Sequence, residues 1–447
     1  MEVYTVSHAA RSAMNIGRRL EHLAQPGGKI TCTEMTLLAG DHEPPIVVGE
    51  GSITVSSSTR FSYRLEGQPD NFAHALGSLG RLEADPFHGR LRSRLIFTTD
   101  RGEEIMGGWT EACAHVDDSL WTFSGEVDAL SLIEEGDFEP GVECIYPLPQ
   151  SHRARIILRR FIGDATERDP SVQLDVFGSQ VRIELDDKRD ELRIIGTASD
   201  AMQPTLLENW VGEPLRILFG QPVYPRYVAR RSRDRSMNWV RPSPTWNEAT
   251  DHVALWQGPR QFIDRERFWQ AYRRLLAHIA RCDGFEAHRL TSLYEELMDA
   301  ANGSRWVWAL TYASKAEALL DMLGLPGTPR ADMSDPQRED LAKEIATFRE
   351  FMDQWEGSLE IAEAAKRAAA RLSETSAAQA LRALVAKGIV QRDEYDAWNS
   401  LRNRVMHGNL VSPYSSAKDD KLLLDLAGLC RSLTWHLIDL EPDEMAS

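Results

Sequence analysis

The sequence is poor in cysteine. The five it has, Cys32, Cys113, Cys144, Cys282 and Cys430, lie far apart and form no Cys-x-x-Cys pair. That spacing supplies neither a disulfide framework nor a cysteine zinc site, and it suits a reducing cytoplasm. The 12 histidines include no pair three or four residues apart, so the helical spacing of a metal site is missing too. No apolar run reaches the roughly 18 residues that a bilayer crossing needs. Met1 to Gly17 carries Glu2, His8 and Arg11 and lacks a secretory apolar stretch. The arginines and spaced apolar residues of Ala9 to Leu23 fit a transit peptide or a surface helix, and Glu2 and Glu21 favour the helix. Phosphate-loop, dinucleotide, serine-elbow and zincin motifs are all lacking.

Positive charge is also short. The 51 lysines and arginines stand against 68 acidic residues, a net charge of −17, which excludes broad attraction to nucleic acid. An enzyme acting on RNA from this chain would have to concentrate its cations locally.

What is present is the composition of a folded protein, 42% hydrophobic and 27% charged, in a chain of 447 residues that is long for one core. Between Lys29 and Ile195, β-branched and aromatic residues recur in short alternating runs bounded by turn residues. Ser52 to Leu65 places Ile53, Val55, Phe61, Tyr63 and Leu65 on one face of a strand pair. Leu95 to Thr99 and Glu104 to Thr110 flank Asp100-Arg101-Gly102 as a hairpin. Trp121 to Val127, Arg153 to Phe161, and Val181 to Glu184 with Leu192 to Ile195 extend the strand pattern, with Arg155, Arg159 and Arg160 on a strand and its turn. A sandwich or a barrel would protect the edges. Pro204 to Phe219 reads as one packed helix or two short ones.

The expected class is therefore α+β. A β-rich domain with a closing helical segment covers residues 1–225, an Arg/Pro-rich linker covers 226–258, and a helical bundle covers 259–447. Helices are expected over Ile263 to Cys282, Arg289 to Ala300, Arg305 to Leu323, Arg338 to Gln354, Ala362 to Leu372, Ala377 to Lys387, Asp393 to Met406 and Lys421 to Leu440. In the linker, Arg226, Arg230, Arg231, Arg233 and Arg235, interleaved with Tyr224, Tyr227 and Trp239, suit an RNA-holding arm, but a solvated linker is favoured. Trp306, Trp308, Trp355, Trp398 and Trp435 are expected in the core or a dimer interface rather than as a base-stacking platform.

One compressed constellation remains, LRNRVMHGN over Leu401 to Asn409, near the end of a helix that Gly408 would cap. Asn403 and His407 form an i, i+4 pair, and Arg404 is i, i+3 to His407. Arg402 lies about 140° from His407 on an ideal helix, so both reach one phosphate only by arginine's length, a distorted helix or a partner subunit. The pairing suits RNA cleavage. Arginine neutralises phosphate, an imidazole near neutral pKa moves a proton, and Asn403 orients them. The chemistry calls for no metal and no cofactor. Alone, the pattern also fits an ordinary helix surface with a histidine favoured by the helix dipole. Asp393, Glu394 and Asp396 supply negative charge at the start of the same helix.

The string resembles the signature of the HEPN superfamily: an arginine, usually a polar residue after it, and a histidine four to six residues on. The resemblance extends loosely from Phe262 to Leu440. It implies a homodimer through the helical domain, two motifs facing one cleft, and metal-independent cleavage of an RNA substrate to 2′,3′-cyclic phosphate ends. Arg402, Asn403 and His407 would be the catalytic set. The order of a β-rich region before such a module is similar to ApeA-like proteins of bacterial anti-phage defence. That order implies a trigger ligand or phage protein at the β-rich domain, in the cytoplasm and away from membranes. Other proteins with the HEPN fold are inactive, so the alternative is a non-catalytic module that binds a protein partner or a nucleotide.

Overall fold

The computed structural model describes residue 20 and residues 27–39, 44–57, 60–83, 93–117, 120–149, 151–162, 171–242, 252–257, 264–281, 288–328, 333–406 and 411–439. The chain divides into a β-rich unit, residues 1–215, 222–246 and 279–286, and a helical unit, residues 216–221, 247–278 and 287–447.

The β-rich unit opens with strands β1 (Lys29–Leu38), β2 (Pro45–Ser57) and β3 (Arg60–Gln68), then helix α1 (Phe72–Glu83), then β4 (Ser93–Thr99), β5 (Glu104–Thr110), β6 (Cys113–Asp117) and β7 (Leu120–Val127). Strands β5, β4, β1, β2, β3 and β7 pair in that order, and Thr110 of β5 meets Val127 of β7 to close a six-stranded barrel. Alternation drives the closure. Ile53, Val55, Phe61, Tyr63 and Leu65 are all buried, as the period-two reading of Ser52 to Leu65 expects. The hairpin at Asp100-Arg101-Gly102 is also present, with Gly102 at φ +77°. No atom lies within 4 Å of a Cβ built there, so Gly102→Ala meets only the left-handed backbone cost. We expect it to lose about 1 kcal/mol in a urea titration of the full chain.

Beyond the barrel, β8 (Leu130–Glu135), β9 (Gly141–Pro147), β10 (Ser171–Val176), β11 (Ser179–Asp186), β12 (Glu191–Thr197), β13 (Tyr227–Arg231) and β14 (Arg235–Val240) continue the sheet in the order β8, β14, β13, β9, β12, β11, β10. Two expectations fail here. The run from Arg153 to Phe161 is helix α2 (His152–Ile162), not a strand. Its buried residues, Ala154, Ile157, Leu158, Phe161 and Ile162, follow helical spacing, and the paired isoleucines imitated a strand. Arg155, Arg159 and Arg160 therefore sit on a helix.

The stretch read as the start of the 226–258 linker is the β13–β14 hairpin, paired on both sides within the sheet. Ser236 and Asn238 occupy buried positions of β14 where apolar residues would have signalled a strand. Pro204 to Phe219 resolves into two short helices, α3 (Pro204–Trp210) and α4 (Glu213–Phe219).

The helical unit contains α5 (Arg265–Ile279), α6 (Arg289–Asn302), α7 (Arg305–Met322), α8 (Asp335–Asp353), α9 (Leu359–Ala370), α10 (Ala377–Ala386), α11 (Arg392–Met406) and α12 (Ala417–Asp439). All eight fall where apolar periodicity places them, with ends shifted by a few residues. Helix α12 is the axis of the unit. Eleven of its residues are buried, and it packs on α7 and α11. Tyr294 of α6 donates its hydroxyl to Thr434 at 3.0 Å, tying a polar group into that core. Among the described residues no helix is long and apolar enough to cross a membrane.

Candidate functional site

Helix α11 carries the motif, and its first turn is anchored by charge and hydrogen bonds. The Gln391 amide donates to Glu394 at 2.9 Å, and Ser432 of α12 donates its hydroxyl to the same carboxylate at 3.0 Å. Gly428 makes room for this approach, since a Cβ there would stand 2.7 Å from the carboxylate oxygen. Asp393 pairs with Lys421 at 2.8 Å, and the hydrogen bond from Lys421 holds its carboxyl below the ordinary value.

Burial pushes the Glu394 carboxyl above its ordinary value, despite the bonds it accepts. The folded chain thus holds this proton more tightly than the unfolded chain. Its contribution to stability is greatest below the ordinary carboxylate pKa and is lost as pH rises through the raised value. Glutamine can accept the same two hydrogen bonds without the charge. Glu394→Gln is therefore expected to raise the thermal midpoint near pH 7 relative to wild type, with the advantage shrinking toward pH 4.

The middle of α11 buries Tyr395, Trp398 and Leu401, three residues apart, which fixes the rotation of the helix. Arg402 follows Trp398 by one turn. It is exposed, and its guanidinium lies over the Trp398 ring with its carbon 5.4 Å from the centroid.

The two other arginines nearby are neutralised. Arg404 pairs with Asp419 at 3.3 Å. Arg305, at the start of α7, pairs with Asp420 and donates to the Ser412 carbonyl at 3.2 Å. The Ser415 hydroxyl and Arg305 together hold the Asp420 carboxyl below its ordinary value. Among the described residues Arg402 makes no ion pair, so it is the cation of this cluster left to meet an external anion.

Asn403 lies in the last turns of α11, and His407 and Gly408 lie outside the described residues. The chain is described again from Val411, which is buried, and Ser412 is held by Arg305. Sequence reading did not find Arg305, Asp419 or Asp420 as neighbours of the motif. The only local signal was the acidic pair that opens α12, which looked like routine helix-end charge.

The arginine-rich segment has a different fate. Arg231 pairs with Glu143 at 2.7 Å, and Arg193 shares that carboxylate. Arg230 pairs with Glu208 at 3.6 Å and lies over the Trp239 ring at 4.8 Å. These cations balance carboxylates of their own unit, which leaves Arg233 and Arg235 exposed near the hairpin turn. Among the tryptophans, Trp398 is fully buried, Trp308 stacks on His252 at 4.9 Å, Trp435 packs against Trp256 and Trp355 is exposed. Among the described residues no group of three histidine, cysteine or acidic side chains is placed to hold a metal ion.

Comparison of the chain with protein-family models, with curated proteins and with solved structures finds no match.

Proposed function

We propose that the helical unit is a metal-independent endoribonuclease module of the HEPN type. The observation that carries this reading is Arg402, exposed at the end of α11, steadied by Trp398 and without a carboxylate partner among the described residues, while Arg404 and Arg305 are both neutralised. A surface ion pair is cheap to form, so an exposed arginine without a carboxylate partner among the described residues is available to phosphate.

In the reaction the RNA 2′-oxygen attacks the adjacent phosphorus and the bond from phosphorus to the 5′-oxygen breaks. The 2′-proton departs, the leaving oxygen gains one, and the products end in a 2′,3′-cyclic phosphate and a 5′-hydroxyl. Arg402 offsets charge on the phosphoryl oxygens, His407 serves as general acid or base, and Asn403 positions them. The β-rich unit ahead of the module supports a role as sensor or restraint in anti-phage defence. Incubation of the purified chain with transfer and ribosomal RNA in a metal chelator tests the reading. Cleavage with cyclic phosphate ends is expected, and its loss in Arg402→Ala and His407→Ala ties it to the motif.

A further inference from the structure

Strands β13 and β14 carry an arginine cluster on one face of the sheet. Val228 pairs with Trp239 and Arg230 with Met237, and the Arg241 amide donates to the Arg226 carbonyl at 2.7 Å. Residues paired across an antiparallel ladder share a face, so Arg230, Met237, Trp239 and Arg241 project to the same side. The Arg230 guanidinium lies 4.8 Å from the centre of the Trp239 ring, and that of Arg241 lies 6.0 Å from it. Helix α3 packs on this side, where Cys144 of β9, the register partner of Val228, donates its thiol to the Glu208 carbonyl at 3.7 Å.

These polar groups are poorly matched to one another. The Glu208 side chain is 10% exposed, and one of its carboxyl oxygens has no hydrogen-bond partner among the described residues. Its ion pair with Arg230 is 3.6 Å long, beyond a hydrogen bond. Burial pushes the carboxyl above its ordinary value, and the charges of Arg230 and Arg241 offset that only in part. Arg230 donates instead to the Met237 sulfur at 3.3 Å, a weak acceptor. Arg241 makes no ion pair and no side-chain hydrogen bond among the described residues. Two half-buried guanidiniums thus face one buried carboxyl that resists ionisation, an excess of positive charge taken partly out of water.

We infer that this cluster binds a phosphate group, either free or at the end of a small ester such as a nucleotide. The two guanidiniums offer only N–H donors, and Glu208 in its protonated form adds an O–H. A ligand that only accepts hydrogen bonds suits such a set, and an ammonium ligand is repelled by it. Phosphate brings a terminal oxygen for each of the three groups, where a carboxylate brings only two, and its edge matches the planar fork of arginine. The Trp239 ring, half-buried between the arginines along β14 and β13, supplies an aromatic wall for the organic part of an ester. The inference stands without the ribonuclease reading, because these residues all belong to the β-rich unit and the test measures binding, not cleavage.

Isothermal titration calorimetry of the full chain near pH 7, with inorganic phosphate and separately with adenosine monophosphate, is expected to show one saturable site. Equal affinities assign the site to phosphate itself, and adenosine monophosphate binding at least about 10-fold tighter assigns it to a nucleotide. Arg241→Met is expected to weaken binding at least about 10-fold, with an unchanged far-ultraviolet spectrum, because it removes a charge-assisted donor and breaks no ion pair. Arg235→Met, on the same face of β14 toward the hairpin turn, is expected to bind as wild type. Glu208→Gln stays neutral and keeps a donor, so it is expected to bind at least as tightly as wild type. Should Arg241→Met fold poorly, hydrogen exchange of the wild type with and without phosphate decides, and slowing confined to residues 226–241 and α3 is expected. Absence of binding, slowing only elsewhere, unchanged affinity in Arg241→Met, weaker binding in Glu208→Gln, or an equal loss in Arg235→Met, the mark of diffuse attraction, overturns the proposal.

Discussion

On the proposed ribonuclease reading, replacement of His407 by alanine is expected to remove RNA cleavage while the thermal midpoint stays where it is in wild type, and Arg402→Ala is expected to do nearly the same. The expected losses are large. A positioned proton donor or acceptor contributes about 10²–10⁴ in rate, and a cation aimed at developing phosphoryl charge contributes a loss of about 10²–10³ when removed. The stability cost of Arg402→Ala is small by comparison. Its described contact is the Trp398 ring, and an exposed guanidinium over an aromatic face is worth about 0.5–1 kcal/mol. Arg404→Ala provides the contrast. It breaks the pair with Asp419, which is largely buried, and is expected to lower the midpoint while leaving Arg402 in place. Rates on a defined RNA, read beside thermal melts of all three variants, separate the roles. Cleavage that survives His407→Ala at wild-type rate would sink the ribonuclease reading.

The parts of this molecule that were legible in the sequence are those whose structure follows local periodicity. The helices from Arg265 to Asp439 each carry enough apolar repeats to declare themselves, and the Asp100-Arg101-Gly102 turn has chemistry that leaves few alternatives. The β13–β14 hairpin was illegible because its stabilisation is non-local. Arg230 and Arg231 are acceptable in a central strand only because Glu208 and Glu143, from elsewhere in the chain, lie against them. Helix α2 was lost to the β-branched pair Ile156 and Ile157, whose strand preference is overridden by the packing of Ala154, Leu158 and Phe161. The same limit applies at the motif. Helical spacing puts Arg404 nearer than Arg402 to the face of His407, and only the placement of Asp419 at the start of α12 shows that Arg404 is neutralised.

Trp398→Ala should be the most damaging single truncation in α11, costing about 3–5 kcal/mol in chemical denaturation. The side chain is fully buried and stands between Tyr395 and Leu401 on the face that seats the helix. Its loss leaves a cavity that α11 and α12 cannot close, because Glu394 and Asp393 hold the start of α11 to Ser432 and Lys421. Trp398→Phe isolates the reason. Among the described residues the indole nitrogen has no hydrogen-bond acceptor, so phenylalanine forfeits volume but no polar contact, and the expected cost falls to about 1–2 kcal/mol. The aromatic face under Arg402 is kept in Trp398→Phe and lost in Trp398→Ala. If Trp398 positions that guanidinium, the phenylalanine variant cleaves RNA at close to the wild-type rate at a temperature where both are folded, and a leucine of similar bulk does not. Equal rates for phenylalanine and leucine would show that the ring fills space only, and that Arg402 is held by the helix alone.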